Sequence, residues 1–231
     1  MKIGIIGAGH IGGTLTRRLA QLGHKVFVAN SRGAESLAGL SRETGAKAST
    51  APQAAHAGEV VIVTIPQGHI PDLPKNLFAG VPHDVVVVDT GNYYPRQRDG
   101  KIEGIEDGLP ESRWVEKQLG RPAVKAFNNI YAQHLMENGK PAGSPGRIAL
   151  PVAGDDPRAK EVVMGLVNEL GFDAVDAGGL DESWRQQPGT PVYATDLDAE
   201  GVRQALAQAS PERKTEWRAT SSSPGTYAQP A

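Results

Sequence analysis

Seven short apolar runs punctuate the first 180 residues, at 2–6, 25–29, 59–65, 84–89, 123–127, 147–153 and 172–176. Two of them, VVIVTI and DVVVVD, are apolar at successive positions instead of alternating, which predicts strands covered on both faces. Between the first two runs Ile11, Leu15, Leu19 and Leu22 recur at helical spacing and predict one buried stripe. Later, Asp156 followed by Pro157 predicts a capped helix start, with Val163, Leu166, Val167 and Leu170 on its buried face. Strands alternating with helices predict a doubly wound, mostly parallel α/β sheet over residues 1–178. Beyond it the pattern gives short helices and no strand, so 179–209 reads as a small C-terminal cap completing a cleft. From 210 to 231 the chain is polar and rich in Ser, Pro and Thr, and reads as a disordered tail.

The first run leads directly into Gly7-Ala8-Gly9-His10-Ile11-Gly12, a G-x-G-x-x-G pattern. The pattern is weak alone but gains weight here: it follows a predicted strand, opens a predicted helix and precedes a second strand. Gly7 permits a tight turn, Gly9 lets the backbone approach a pyrophosphate, and Gly12 lets helix and strand pack closely. The helix N-terminus then offers free N–H groups and its positive dipole end to phosphate. His10 and Ile11 lie in this loop and join the candidate cofactor contacts.

The end of the second strand distinguishes between cofactors. An NAD site places a carboxylate there for the ribose 2′-hydroxyl, whereas this chain has Asn30-Ser31-Arg32 and no carboxylate before Glu35. Arginine makes charge-assisted bidentate bonds to phosphate and serine adds a hydroxyl donor, so the expected cofactor is NADP(H).

Composition narrows the classes further. A net charge of −2 argues against nucleic-acid binding, and no apolar run is long enough for a membrane span. With no cysteine and no histidine or carboxylate cluster at ligand spacing, no metal site is expected. These features predict a soluble, cytoplasmic protein.

Chemistry in such a sheet sits beyond the carboxyl ends of the strands. The corresponding loops contain Thr64-Ile65-Pro66, Asn92-Tyr93 and Phe127-Asn128-Asn129, with Trp184 later in the chain. They are rich in amides and aromatics and poor in acid–base groups. Thr64, Ile65 and Pro66 are expected along the cofactor. Pro66, Asn92, Tyr93, Phe127, Asn128, Asn129 and Trp184 are the candidates for an acceptor pocket. No Tyr-Lys pair at helical spacing is evident, and a His134–Asp89 pair would depend on the fold. A ring acceptor that delocalises the incoming electrons needs stacking and orientation more than proton transfer.

The segments KIGIIGAGHIGGTLTRRLAQLGHKVFVANSRG, VVIVTIPQG, VKAFNNI and LPVAGDDPRAKEVVMGLVNELGFDAVDAGGL resemble the coenzyme F420-dependent NADP oxidoreductases over roughly residues 1–180. The resemblance implies a Rossmann domain with a small C-terminal part, hydride transfer between NADP(H) and F420, and a homodimer. It places Gly7, Gly9, Gly12, Ser31 and Arg32 on NADP and Thr64, Ile65 and Pro66 by the nicotinamide. The stretches 92–118 and after 179 depart from that likeness. Two other readings stand beside this small-molecule redox function: reduction of a small imine or carbonyl, and a non-catalytic NADPH-binding regulator.

Overall fold

A computed structural model describes residues 1–221 and 223. Its centre is a six-stranded parallel sheet in the order β3-β2-β1-β4-β5-β6. The first half runs β1 (Lys2–Ile6), α1 (His10–Gln21), β2 (Lys25–Ala29), α2 (Ala38–Thr44) and β3 (Lys47–Ala48). The second half runs α3 (Ala51–Ala57), β4 (Val60–Val63), β5 (Val86–Asp89), α4 (Glu103–Glu106), α5 (Glu111–Leu119), β6 (Ala123–Lys125) and α6 (Ala132–Glu137). β1 pairs with both β2 and β4, so the strand order reverses between β1 and β4 and opens a crevice there.

Period-2 geometry sends successive residues of each strand to opposite faces, and both faces are covered. Ile3, Ile5, Val60 and Ile62 pack with Leu15 and Leu19 of α1 and Leu135 of α6. Ile6, Val61 and Val63 pack with Ala54 and Ala55 of α3 and with Trp114 and Val115 of α5. All four residues of β4 and all four of β5 are buried, as their continuous apolar runs predict.

Three sequence expectations need correction. The central strands are shorter than their apolar runs, because loop residues such as Thr64 and Ile65 turn out into the crevice. β3 has only two residues and leaves no apolar run to read. The last two predicted strands, β7 (Ala149–Val152) and β8 (Asp173–Asp176), form their own two-stranded sheet, joined by α7 (Pro157–Glu169). Lys125 and Ala153 bridge the two sheets in antiparallel sense. Asp156 caps α7 as expected, its carboxylate accepting the Arg158 N–H at 2.9 Å. After β8 come a 3₁₀ turn at Leu180–Gln186 and α8 (Ala199–Ala207). No helix among the described residues is long and apolar enough to cross a membrane.

The tail expected to be disordered from residue 210 is instead packed on the body over 210–221; residues 222 and 224–231 lie outside the described residues. The Arg213 guanidinium bonds the fully buried Glu111 carboxylate and Gln187 Oε1, and lies 5.3 Å from the Tyr93 ring centre. The Trp217 indole packs 5.9 Å from Tyr94 and 6.3 Å from Tyr193. Arg96 reaches the carbonyls of Thr220 and Ser221. Polar composition hides these few strong contacts. Gly189 makes room for the indole: a Cβ there would lie 2.4 Å from it. Gly189→Val is therefore expected to release segment 210–221, so that trypsin cuts at Arg213 or Lys214 about tenfold faster. An unchanged rate would mean that the indole does not hold this segment down.

Candidate functional site

A cleft of about 780 Å3 opens at the carboxyl ends of β1, β2 and β4. Gly7, Ala8 and Gly9 line it from the first turn, Asn30 to Ala34 from the second, and Ser49 to Pro52 from the third. Thr64, Ile65, Pro66, His69 and Asp72 close it after β4. The glycine loop has the geometry its sequence predicts. Gly7 has φ +113°, and a Cβ there would lie 2.2 Å from the Thr64 carbonyl. A Cβ on Gly12 would lie 2.0 Å from the Gly7 carbonyl, so this glycine serves helix packing and does not line the cleft. A Cβ on Gly9 would meet no atom of the described residues within 4 Å. The protein itself does not require that glycine; the open face beside it is free for a ligand. Gly9 is also the N-cap of α1, gives no side-chain cap, and no acidic residue occupies the first turn. The amide end of a 12-residue helix is therefore left for an anion. His10 is exposed at the start of α1 and Ile11 packs on the core; neither lines the cleft.

Across the loop after β2, Asn30 Oδ1 accepts the Arg32 N–H at 3.1 Å and Asn30 Nδ2 donates to Ser36 Oγ at 2.8 Å. This fixes the turn that carries Ser31 and Arg32 into the cleft wall. Both side chains are exposed, and the Arg32 guanidinium makes no hydrogen bond or ion pair with the described residues. By contrast, Arg17 of α1 is paired bidentately with Glu43. The unpaired cation sits where the sequence places the 2′-phosphate.

The acceptor-pocket candidates fare differently. Pro66 lines the cleft. Tyr93 and Phe127 are fully buried, so neither presents a ring to it; Tyr93 donates to Glu106 and accepts the Ile102 N–H. Burial pushes the Tyr93 hydroxyl well above its ordinary pKa, which keeps it a neutral core donor. Asn92 and Asn128 exchange amide bonds at 2.9 and 3.0 Å, and Asn128 also engages Gln186. Asn129 is 1% exposed, and neither atom of its side-chain amide has a partner among the described residues. Trp184 lines a separate cavity of about 300 Å3 with 187–191 and 210–214, under the Arg185 guanidinium 4.5 Å from its ring. The aromatic wall expected from these residues is therefore not assembled. His134 pairs with Asp196, not with Asp89, because α6 turns its ring toward the loop before α8.

A family model described as NADP oxidoreductase, coenzyme F420-dependent, matches residues 2–93. The Sinorhizobium meliloti protein SMa0349 superposes with a TM-score of 0.72 at 30% identity, covering 85% of this chain and 95% of that one. The chain belongs to the F420-dependent NADP oxidoreductase family. A proposed F420-dependent NADP reductase from Arthrobacter sp. FB24 shares the fold at 23% identity and TM-score 0.63, over 78% and 86% of the two chains. The Escherichia coli K12 protein YjhV is 50% identical over 82 residues, which span 36% of this chain and 58% of YjhV.

For a member of this NADP oxidoreductase family, the cleft residues given no role in the sequence are Ser49 to Pro52, His69 and Asp72. The first group follows β3, but a signal was present. Thr50 and Gln53 form a capping box, with the Gln53 N–H donating to Thr50 Oγ1 and the Thr50 N–H to Gln53 Oε1. That T-x-x-Q spacing marks the start of α3 and hence the loop before it. Asp72 holds His69 Nδ1 at 2.9 Å, a pair that one helical turn in the sequence brings together.

Proposed function

We propose that this chain is an NADPH-dependent oxidoreductase that passes hydride to a deazaflavin or flavin-type acceptor. The reading is carried by the Arg32 guanidinium, which has no partner among the described residues and stands on the wall of the glycine-loop cleft. Three features fit an NADP molecule in that cleft. The open face at Gly9 admits a pyrophosphate, the uncapped α1 offers amide donors to it, and Arg32 with Ser31 supplies charge and a hydroxyl for a ribose phosphate. When bound, the nicotinamide supplies the hydride. The chain's part is to hold and orient. Asn30 fixes the Arg32 turn, Thr64 and Ile65 abut the glycine loop, and Pro66 sets the direction of the chain beyond it. Orientation of this kind carries much of the rate when the acceptor manages its own charge.

One observation favours a second reading, reduction of an imine or carbonyl. His69, oriented by Asp72, lines the same cleft and is the type of group that passes a proton. NADPH oxidation measured with F420, with FMN and with a panel of cyclic imines tests both readings. Turnover with F420 or FMN is the expected result. Turnover with imines alone, abolished by His69→Ala, would replace the first reading with the second.

A further inference from the structure

We infer that Lys125 is a positioning residue: with Asp89 and Ser112 it clamps the backbone of Gly91 and so sets the amide cluster that joins the loops after β5 and β6, where the sequence places the acceptor. The inference rests on the proposed hydride-transfer function for its kinetic consequences, and on geometry for the clamp itself. Lys125 ends β6 and its side chain is fully buried. Its Nζ donates to the Gly91 carbonyl at 2.5 Å and to Asp89 Oδ2 at 3.3 Å. Asp89 ends β5; its Oδ1 accepts the Gly91 N–H at 2.8 Å and its Oδ2 accepts the Ser112 hydroxyl at 2.6 Å. The N–H and C=O of Gly91 are thus each held by one member of an ion pair. The space around it is closed as well, because a Cβ on Gly91 would lie 2.6 Å from Gln67 Oε1 and 3.0 Å from Asp89 Oδ1.

The residue held next is Asn92. Its Nδ2 donates to the Asn128 carbonyl, and its Oδ1 accepts from Asn128 Nδ2. Asn128 Nδ2 also donates to the Gln186 carbonyl at 2.7 Å, and its Oδ1 accepts from Gln186 Nε2 at 2.9 Å. The loops after β5 and β6 and the cap are therefore joined through one amide pair whose placement begins at Gly91. Asn129 follows immediately, with an amide that has no partner among the described residues.

A buried ion pair is a costly way to hold a fold, since apolar residues of similar volume often serve as well. Here the pair also directs two bonds onto the backbone of one residue, which an apolar pair cannot do. Lys125 is further enclosed by Asp89 and the Gly91 carbonyl, so its role is to place other groups.

The test uses Lys125→Met, Asp89→Asn and the double variant, which removes both charges and keeps a folded protein available if either single variant fails to fold. Three measurements are made on each: amide hydrogen exchange at Gly91, NADP+ affinity, and kcat and KM for F420 across pH. In every folded variant, Gly91 exchange is expected to rise at least about tenfold, with NADP+ affinity within about twofold of wild type. The kcat for the acceptor is expected to fall about 10- to 100-fold, with a pH profile of unchanged shape. Wild-type exchange at Gly91 in the folded double variant would overturn the clamp. A lost limb in the pH profile of Lys125→Met would overturn the positioning role and make Lys125 a proton carrier. If wild type turns over no acceptor, the proposed function fails, and the exchange measurement still decides the clamp.

Discussion

Gly9→Val is expected to leave the thermal midpoint near that of wild type and to weaken NADPH binding by more than about 100-fold. A Cβ at Gly9 would meet no atom of the described residues within 4 Å, so the first added carbon brings no clash to folding. The same side chain fills the open face in front of the first turn of α1. It would separate a phosphate from several amide donors, and each bond to a charged group contributes about 1.5–3 kcal/mol. Gly12→Ala should behave in the opposite way. Its Cβ would lie 2.0 Å from the Gly7 carbonyl and 2.6 Å from Thr64 Cγ2, and backbone cannot yield as a flexible side chain does. Overpacking of this kind costs about 1–3 kcal/mol, occasionally more. Calorimetric melting and fluorescence titration of the two variants separate binding from folding. Tight NADPH binding by folded Gly9→Val would remove the glycine loop from the site.

Arg32→Ala is expected to raise the Kd for NADPH about 10- to 100-fold and to leave that for NADH within about twofold, the scale set by one charged hydrogen-bonding contact. The side chain is exposed and has no protein partner among the described residues, so its loss should not disturb the fold. Asn30→Ala should act in the same direction more weakly. Asn30 touches the backbone N–H of Arg32 and fixes the turn, while the guanidinium itself remains. Equal losses for both cofactors in Arg32→Ala would mean that the cation does not read the 2′-phosphate. Steady-state inhibition by NADP+ and NAD+ gives the same comparison where direct binding is weak.

Much of the nucleotide side was legible because its determinants are local. The apolar run at 60–65, the glycine spacing at 7–12 and the Asn-Ser-Arg turn each place their residues within one turn of a strand end, and all three open on one cleft. The acceptor side was not legible because its residues are placed from a distance. Tyr93 and Phe127 look like surface aromatics in the sequence, yet Tyr93 is covered by Arg213, and Phe127 adopts φ +61° in the packed loop after β6. Asn92 and Asn128 look free to bind a ligand until the loops after β5 and β6 bring them onto each other. β7 and β8 have the apolar composition of central strands, but composition does not say which neighbour a strand takes, and they pair with each other. The segment from 210 reads as disordered by average polarity, although over 210–221 it is tied to the body by Arg213, Trp217, and the bonds of Arg96 and Glu106.

The central claim is that the cleft holds NADP(H) with its 2′-phosphate at Arg32. Parallel calorimetric titrations of the wild-type protein with NADPH and NADH test it most directly. The structure predicts that NADPH binds at least about tenfold more tightly, as one charged hydrogen-bonding contact would supply. Equal affinities, or tighter binding of NADH, would contradict it.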